Sequence, residues 1–375
     1  MIDIDNIAKL PEPIHESLIS LSKNINITHF SDKGGNGYLF FGKNHLLNKD
    51  VAIKYYYYDH DKDYHAEPKY LASFESKNIL KIHHAETIND DCALFITDFC
   101  KNGDLDDFMI KNQISVKTAL TMTHELLQGV CDLHSKKLVH RDLKPQNLFI
   151  DDNKNIVIGD FGSVKKIPDG IDSIPGSGHS VLYRPPEANI NNNYYYNSDI
   201  YQVGIILYQL LKGKLLYNET DYLDDKQRRK YDELQDYCDK TIFVDSIIKD
   251  KITRGKLLDF NSLPVWIDSQ LIRIIKKATN INPKKRYATC SEMMLDITKI
   301  KKHVLDWNTI DNGFIVNAET SFRIICEKDF YHVEKHKHSS WKRVNTINES
   351  QDYKTLIQEV TKLLKKNNYL NYSVL

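Results

Sequence analysis

At 375 residues the chain can bury a large core and has room for two lobes and a further segment. Lys and Arg balance Asp and Glu, 51 against 51, so no global field points toward nucleic acid or a membrane surface. The six cysteines are scattered without a CxxC pair, which argues against a disulfide framework or a zinc site and fits a reducing compartment. The opening run MIDIDNIAKLPEP is acidic and lacks the apolar stretch of a secretory signal.

In chain order, residues 1–27 read as a leader with one helix from Ile14 to Leu21. Strand-like alternation begins near Ile25, and a Gly-rich turn, KGGNG, lies between Phe30 and Phe40. VAIKYYYY is a strand rich in β-branched and aromatic residues. A short helix is expected over Pro68 to Glu75 and a strand over Ala93 to Phe99. Leu120, Leu126, Leu127, Val130 and Leu133 recur at helical spacing and predict a helix from Thr118 to His134. The most apolar helical stretch, Ile200 to Leu211, contains Gln202 and Gln209 and is too short to span a bilayer. The charged run DDKQRRKYDE reads as a solvated face.

The run HRDLKPQN, His140 to Asn147, is followed by IGDFGS, with Asp160, Phe161 and Gly162. Two acids and an amide in this order suit a nucleotide-dependent phosphoryl transfer. Its loose transition state needs positioning and charge neutralisation more than covalent help. The hard cation Mg²⁺ takes oxygen ligands. The two runs resemble the catalytic loop and the metal loop of the eukaryotic-type Ser/Thr protein kinase family. The resemblance covers about residues 28–303. It implies an α+β, bilobal protein kinase fold, with a mainly β small lobe over 28–98, a hinge from Asp98 to Gly103, and a mainly α large lobe over 104–303. It also implies ATP and Mg²⁺ as cofactors, with Mn²⁺ as an alternative metal. On this resemblance Asp142 is the base facing a substrate hydroxyl, and Asn147 and Asp160 hold the metal. Lys144 contacts the transferring phosphate and favours Ser/Thr over Tyr specificity.

Lys54 of VAIK matches the family lysine that reaches the α- and β-phosphates, and Glu67 is its candidate helix partner. The Gly-rich frame runs from Asp32 to Gly37. Gly34 and Gly37 match GxGxxG, while Asp32 replaces the first glycine. Gly34, Gly35 and Gly37 are expected to let backbone N–H groups approach phosphate. Pro68 directly follows Glu67. Proline costs roughly 3 kcal/mol inside a helix but is tolerated at its start, so the helix is expected to begin at about Glu67. The Lys54–Glu67 pair then forms on a shortened helix; the alternative is a pair that depends on conformational state. The resemblance puts Thr97 at the back of the adenine pocket and Asp98 and Cys100 at the positions whose backbone groups bond adenine. It puts Leu39, Ala52 and Leu148 around the ring, where a plain core role accounts for them equally well.

In the large lobe His140 and Phe161 read as core residues, and Arg141 as the partner of a phosphate on the activation segment, Asp160 to Glu187. Ser180 stands where the family has threonine and can hydrogen-bond toward Asp142 and Lys144. Glu187 and Arg286 are expected to form a buried ion pair, and Asp199 to steady the catalytic-loop backbone. Ser173 and Ser177 are the candidate autophosphorylation sites; the alternative is a loop that is merely punctuated by Gly and Pro.

Residues 307–375 read as a small β-rich appendage capped by a helix. GFIVNA, SFRIICEK and DFYHVEKH alternate like strands. From Asp352 to Lys366, Leu356, Ile357, Val360, Leu363 and Leu364 share a helix face. Docking on the large lobe is the expectation, and binding a substrate or partner the alternative. A basic cluster of Lys335, His336, Lys337, His338, Lys342 and Arg343 is only a thin hint of nucleic-acid contact. The histidines lack metal-ligand spacing. The reading is thus a cytoplasmic Ser/Thr protein kinase acting on protein hydroxyls, with no membrane partner. One alternative is an ATP-binding pseudokinase or scaffold acting through its C-terminal segment, for which only Asp32 and Pro68 speak. The other is a small-molecule phosphotransferase, against which Lys144, Glu187 and Arg286 stand.

Overall fold

The computed structural model describes residues 10–31, 37–58, 65–176 and 180–366. Helix α1 (Glu12–Ser22) is followed by strands β1 (Ile25–Ser31), β2 (Gly37–Asn44) and β3 (Lys49–Tyr57), helix α2 (Ala66–Ala72), and strands β4 (Ile82–Thr87) and β5 (Cys92–Asp98). Helices α3 (Leu105–Lys111) and α4 (Val116–Ser135) precede four short strands, β6 (Leu138–Val139), β7 (Leu148–Ile150), β8 (Ile156–Ile158) and β9 (Lys165–Lys166). Then come β10 (Ile174–Pro175), α5 (Pro186–Asn191), β11 (Asn193–Tyr194), and helices α6 (Tyr196–Leu210), α7 (Asp225–Glu233), α8 (Tyr237–Thr253), α9 (Ser269–Ala278) and α10 (Cys290–Lys301). Strands β12 (Asp306–Ile310), β13 (Gly313–Asn317), β14 (Phe322–Glu327), β15 (Phe330–Lys337) and β16 (Ser340–Arg343) lead into α11 (Tyr353–Lys366). The chain divides into two compact units. One runs to Leu105 and includes Pro145–Lys165; the other comprises Asp106–Lys144 and the chain from Lys166 onward. A sheet-based small lobe and a helical large lobe make this an α+β, bilobal kinase fold.

In the small unit, an antiparallel sheet is ordered β1-β2-β3-β5-β4. Alternation along β3 buries Val51, Ile53 and Tyr55 on one face and leaves Ala52 and Lys54 on the other. Ile14 and Leu18, one turn apart on α1, join Val51, Ile53, Tyr55 and Phe40 in a single core. Ser17 Oγ lies 3.0 Å from the Tyr55 hydroxyl. The helix expected over Ile14 to Leu21 therefore covers one face of the sheet, opposite the face from which Lys54 projects. Gly37 is required where β2 opens, because a Cβ there would fall 1.9 Å from the Tyr55 carbonyl oxygen. The Gly-rich residues Gly34 and Gly35, with Asp32, lie outside the described residues.

Helix α2 begins at Ala66 and ends at Ala72, shorter at its C-terminal end than the expected Pro68 to Glu75. Pro68 occupies the first turn. The intrahelical ladder starts only with the Lys69 N–H donating to the His65 carbonyl, 3.1 Å, so the proline removes no helix bond.

The large unit is built on α4 and α6. Ser115 caps α4 by accepting the Thr118 N–H. Almost all of α6 is buried, and Gly204 lets it approach α9: a Cβ there would lie 2.8 Å from the Ala278 Cβ. The run around DDKQRRKYDE forms α7, none of whose residues is buried.

The C-terminal segment belongs to this same unit. Its strands form a sequential antiparallel meander, β12-β13-β14-β15-β16. The register aligns Trp307 with Val316, Val316 with Phe322, and Ile324 with Val333, placing them on one face. Leu356, Ile357, Val360 and Leu364 of α11 are buried, and α11 packs against β14 and β15. Leu363, expected on that face, is only half-buried. Trp266 of the helical region stacks on Trp307, with centroids 6.2 Å apart, and lies 5.2 Å from the Phe314 ring. Asp306 Oδ1 accepts the Lys117 N–H at 2.8 Å, and Lys212 Nζ donates to Thr309 Oγ1 at 2.6 Å. The meander is thus docked on the helices. Strands β12 and β16 were absent from the sequence reading, which led SSWKRVN straight into the helix. No helix among the described residues is long and apolar enough to cross a membrane.

Candidate functional site

Lys54, expected at the nucleotide phosphates, lies in the small unit. Lys54 projects from the face of β3 opposite the α1 core. Its Nζ donates to Glu67 Oε1 at 3.0 Å and Oε2 at 2.8 Å, and lies 3.9 Å from Asp160 Oδ1. Burial works against the Lys54 charge, but the Glu67 and Asp160 carboxylates outweigh it and raise the pKa above the ordinary 10.5. The lysine therefore remains a fixed cation, held by two carboxylates.

Asn147 and Asp160 are brought together by the β7–β8 hairpin. Leu148 pairs with Ile158, so the residues just outside that pair meet, and the Gly159 N–H donates to the Asn147 carbonyl at 3.0 Å. Asn147 is buried, whereas Asp160 is exposed. Asp160 adopts φ 51°, ψ 72°, a left-handed conformation uncommon for a residue with a side chain. One carboxylate and one amide oxygen make a hard, incomplete donor set. That set fits Mg²⁺, which keeps waters and binds through few protein ligands together with phosphate oxygens.

The residues expected around adenine are placed by sheet register. Ala52 pairs with Thr97 and Leu39 with Lys54. Leu39 and Ala52 are half-buried, and Leu148 is fully buried. Thr97 is buried, and its hydroxyl donates to the Asp98 carbonyl at 3.2 Å. The Asp98 carboxylate is engaged by His83 at 2.7 Å and Lys49 at 3.6 Å. Burial, with help from nearby carboxylates, pushes the Cys100 thiol up to about 12, so it is no nucleophile.

Asp142, expected to face a substrate hydroxyl, lies in the large unit. Asp142 is buried, and its Oδ2 accepts Lys144 Nζ at 3.0 Å; the same amine lies 3.4 Å from Ser180 Oγ. Asp199 organises the backbone beneath. Its Oδ2 accepts the His140 N–H and its Oδ1 the Arg141 N–H, both at 3.0 Å. The Tyr194 hydroxyl donates to Oδ1 at 2.7 Å, and His134 Nε2 lies 2.8 Å from Oδ2. Burial alone would raise the Asp199 pKa, but the His134 and Tyr194 hydrogen bonds and the Arg141 amide hold it below 3.8. One turn along α6, Gln202 Oε1 accepts the Leu143 N–H at 2.9 Å.

Arg141 donates to the Gly176 carbonyl at 2.7 Å. Ser173, one of the two candidate phosphosites, is half-buried, and Ser177 lies outside the described residues. Glu187 and Arg286 form a bidentate pair at 2.7 and 2.6 Å, and Ser198 donates to Glu187 at 2.5 Å. Removing one partner of such a buried pair costs on the order of 3–5 kcal/mol. His134, Tyr194 and Gln202 were not singled out for the site from sequence. Gln202 carried the one available signal, a polar residue inside an otherwise apolar helical run.

A protein kinase domain model matches residues 32–303. The chain belongs to the eukaryotic-type protein kinase family. It is 29% identical over 277 residues to the mouse interferon-induced, double-stranded RNA-activated protein kinase, covering 68% of this chain and 52% of that protein. It is 25% identical over 317 residues to the maternal embryonic leucine zipper kinase of Danio rerio, 81% of this chain and 40% of the relative. It is 27% identical over 196 residues to the serine/threonine-protein kinase PrkC of Bacillus subtilis, 49% of this chain and 30% of that protein. The chain thus spans about half or less of the curated relatives it matches.

Proposed function

We propose that this chain is an active protein kinase that transfers the γ-phosphate of ATP to serine or threonine hydroxyls of proteins. The observation that carries the reading is the Lys54–Glu67 pair, at 3.0 and 2.8 Å. A phosphate-binding lysine must be held by its helix glutamate for the nucleotide to be aligned. The pair is formed despite Pro68, one of the two departures, with Asp32, that speak for a pseudokinase.

In this reading Lys54 positions the α- and β-phosphates, and Asn147 and Asp160 hold Mg²⁺. When bound, the metal neutralises charge on the phosphate oxygens. Asp142 accepts the hydroxyl proton of the substrate, and its buried position at the end of a rigid loop orients that hydroxyl. Lys144, shared between Asp142 and Ser180, supplies positive charge toward the transferring phosphoryl group. Gly34, Gly35 and Gly37 offer backbone N–H groups to phosphate, and Leu39, Ala52, Thr97, Asp98, Cys100 and Leu148 receive the adenine. The activity belongs to a cytoplasmic protein that uses ATP with Mg²⁺ or Mn²⁺ and can phosphorylate itself at Ser173 or Ser177.

The test is transfer from γ-labelled ATP with Mg²⁺ to serine, threonine and tyrosine peptides and to small alcohols in parallel. Label on serine or threonine peptides is expected. Label only on tyrosine or on small alcohols would contradict the acceptor assignment. ATP binding without any transfer would favour a pseudokinase.

A further inference from the structure

Beyond Asp199, the hydrogen-bonded chain beneath the catalytic loop continues to a residue that the kinase reading does not use. His134 Nε2 lies 2.8 Å from Asp199 Oδ2, and its other ring nitrogen, Nδ1, lies 3.6 Å from the sulfur of Cys290. Cys290 opens α10 and is 2% exposed, and Asp199 is fully buried. We infer that the Cys290 thiol is a positioning residue for the catalytic loop, because its S–H fixes His134 in the tautomer that donates to Asp199. The inference deepens the kinase reading and rests on it for its catalytic consequence.

An ionised Asp199 only accepts, so the imidazole nitrogen facing it must carry the proton. A neutral ring then presents a lone pair at Nδ1, and the hydrogen bond made there decides which tautomer is held. Cys290 supplies that donor. Burial, reinforced by Asp199, raises its pKa well above 9.0 and keeps it a thiol. With the opposite tautomer, the Nε2 lone pair would face the carboxylate that holds the His140 and Arg141 amides. Arg141 sits at φ 72°, a strained backbone that those amide bonds must hold. Cys290, some 150 residues away in sequence, is thereby linked through three successive hydrogen bonds, by way of His134 and Asp199, to Arg141, the residue preceding Asp142.

The experiment compares the full chain with Cys290→Val, Cys290→Ala and Cys290→Ser. It reads the ¹⁵N signals of the His134 ring, hydrogen exchange of the Arg141 amide, and steady-state kinetics. In Cys290→Val and Cys290→Ala the Nδ1 signal should move to that of an unbonded acceptor, and Arg141 exchange should quicken roughly threefold to tenfold. The kcat should fall by a similar factor, with the KM for ATP little changed. Cys290→Ser, which keeps a donor, should restore all three. If the Val variant does not fold, the Ala variant gives the same reading. A wild-type Nδ1 signal and wild-type Arg141 exchange in the apolar variants would overturn the inference. So would a Ser variant that behaves like Ala, since the thiol would then only fill space. If the wild type transfers no phosphate, the kinase reading fails, and the nitrogen signal and amide exchange still decide whether the relay exists.

Discussion

A left-handed backbone at Arg141, φ 72°, costs on the order of 1–3 kcal/mol for a residue with a side chain. It persists because Asp199 accepts both its amide and that of His140. The stabilisation depends on the carboxylate being ionised; burial works against that, but His134, the Tyr194 hydroxyl and the Arg141 amide hold its pKa below 3.8. A group with a depressed folded-state pKa contributes stability that is fully present above its unfolded value and is lost as the pH falls through the folded one. The urea midpoint of the wild type should therefore exceed that of Asp199→Asn by a constant gap from neutral pH down to about 5. The gap should narrow once the pH falls below about 4. A gap unchanged down to pH 2.5 would contradict this role.

At the scale of elements, α2 shows how one residue's position decides its effect. Pro68 lies in the first turn, where the N–H it lacks would have had no partner within the helix. Pro68→Ala should shift stability by no more than about 0.5 kcal/mol by urea unfolding, and should leave ATP affinity unchanged. A loss above about 2 kcal/mol would show that the proline holds the helix entry by packing. Elements with strong local patterns were legible in the sequence. The β-branched run around Lys54, the heptad-like stripe of α4 and the HRD and DFG runs all carry their signal within a few residues. Strand β16 was not legible, because it is an edge strand with exposed or half-buried residues and no apolar alternation. Strand β12 buries only Trp307. His134 and Tyr194 were invisible as parts of the site for a different reason. Their roles arise from contacts with Asp199 and Gln202, which only the packing of α4, β11 and α6 brings about.

At the scale of the whole molecule, the C-terminal meander is an extension of the helical unit's core. Trp307 is 1% exposed and stacked on Trp266, and polar contacts from Lys117, Lys212 and Gln113 to β12 surround that stack. Trp307→Ala should cost about 3–5 kcal/mol and lower the unfolding midpoint of the entire large unit. Loss of structure confined to the meander would instead mark it as a separate folding body. The central claim, that Asp142 carries the chemistry on a scaffold that binds ATP independently of it, is tested most directly by one paired measurement. Single-turnover phosphate transfer and ATP affinity are measured on the same preparations of wild type and Asp142→Ala. The account predicts a rate lower by roughly 10²–10⁴-fold in the variant, with ATP affinity within about threefold. Transfer at the wild-type rate in Asp142→Ala would contradict it.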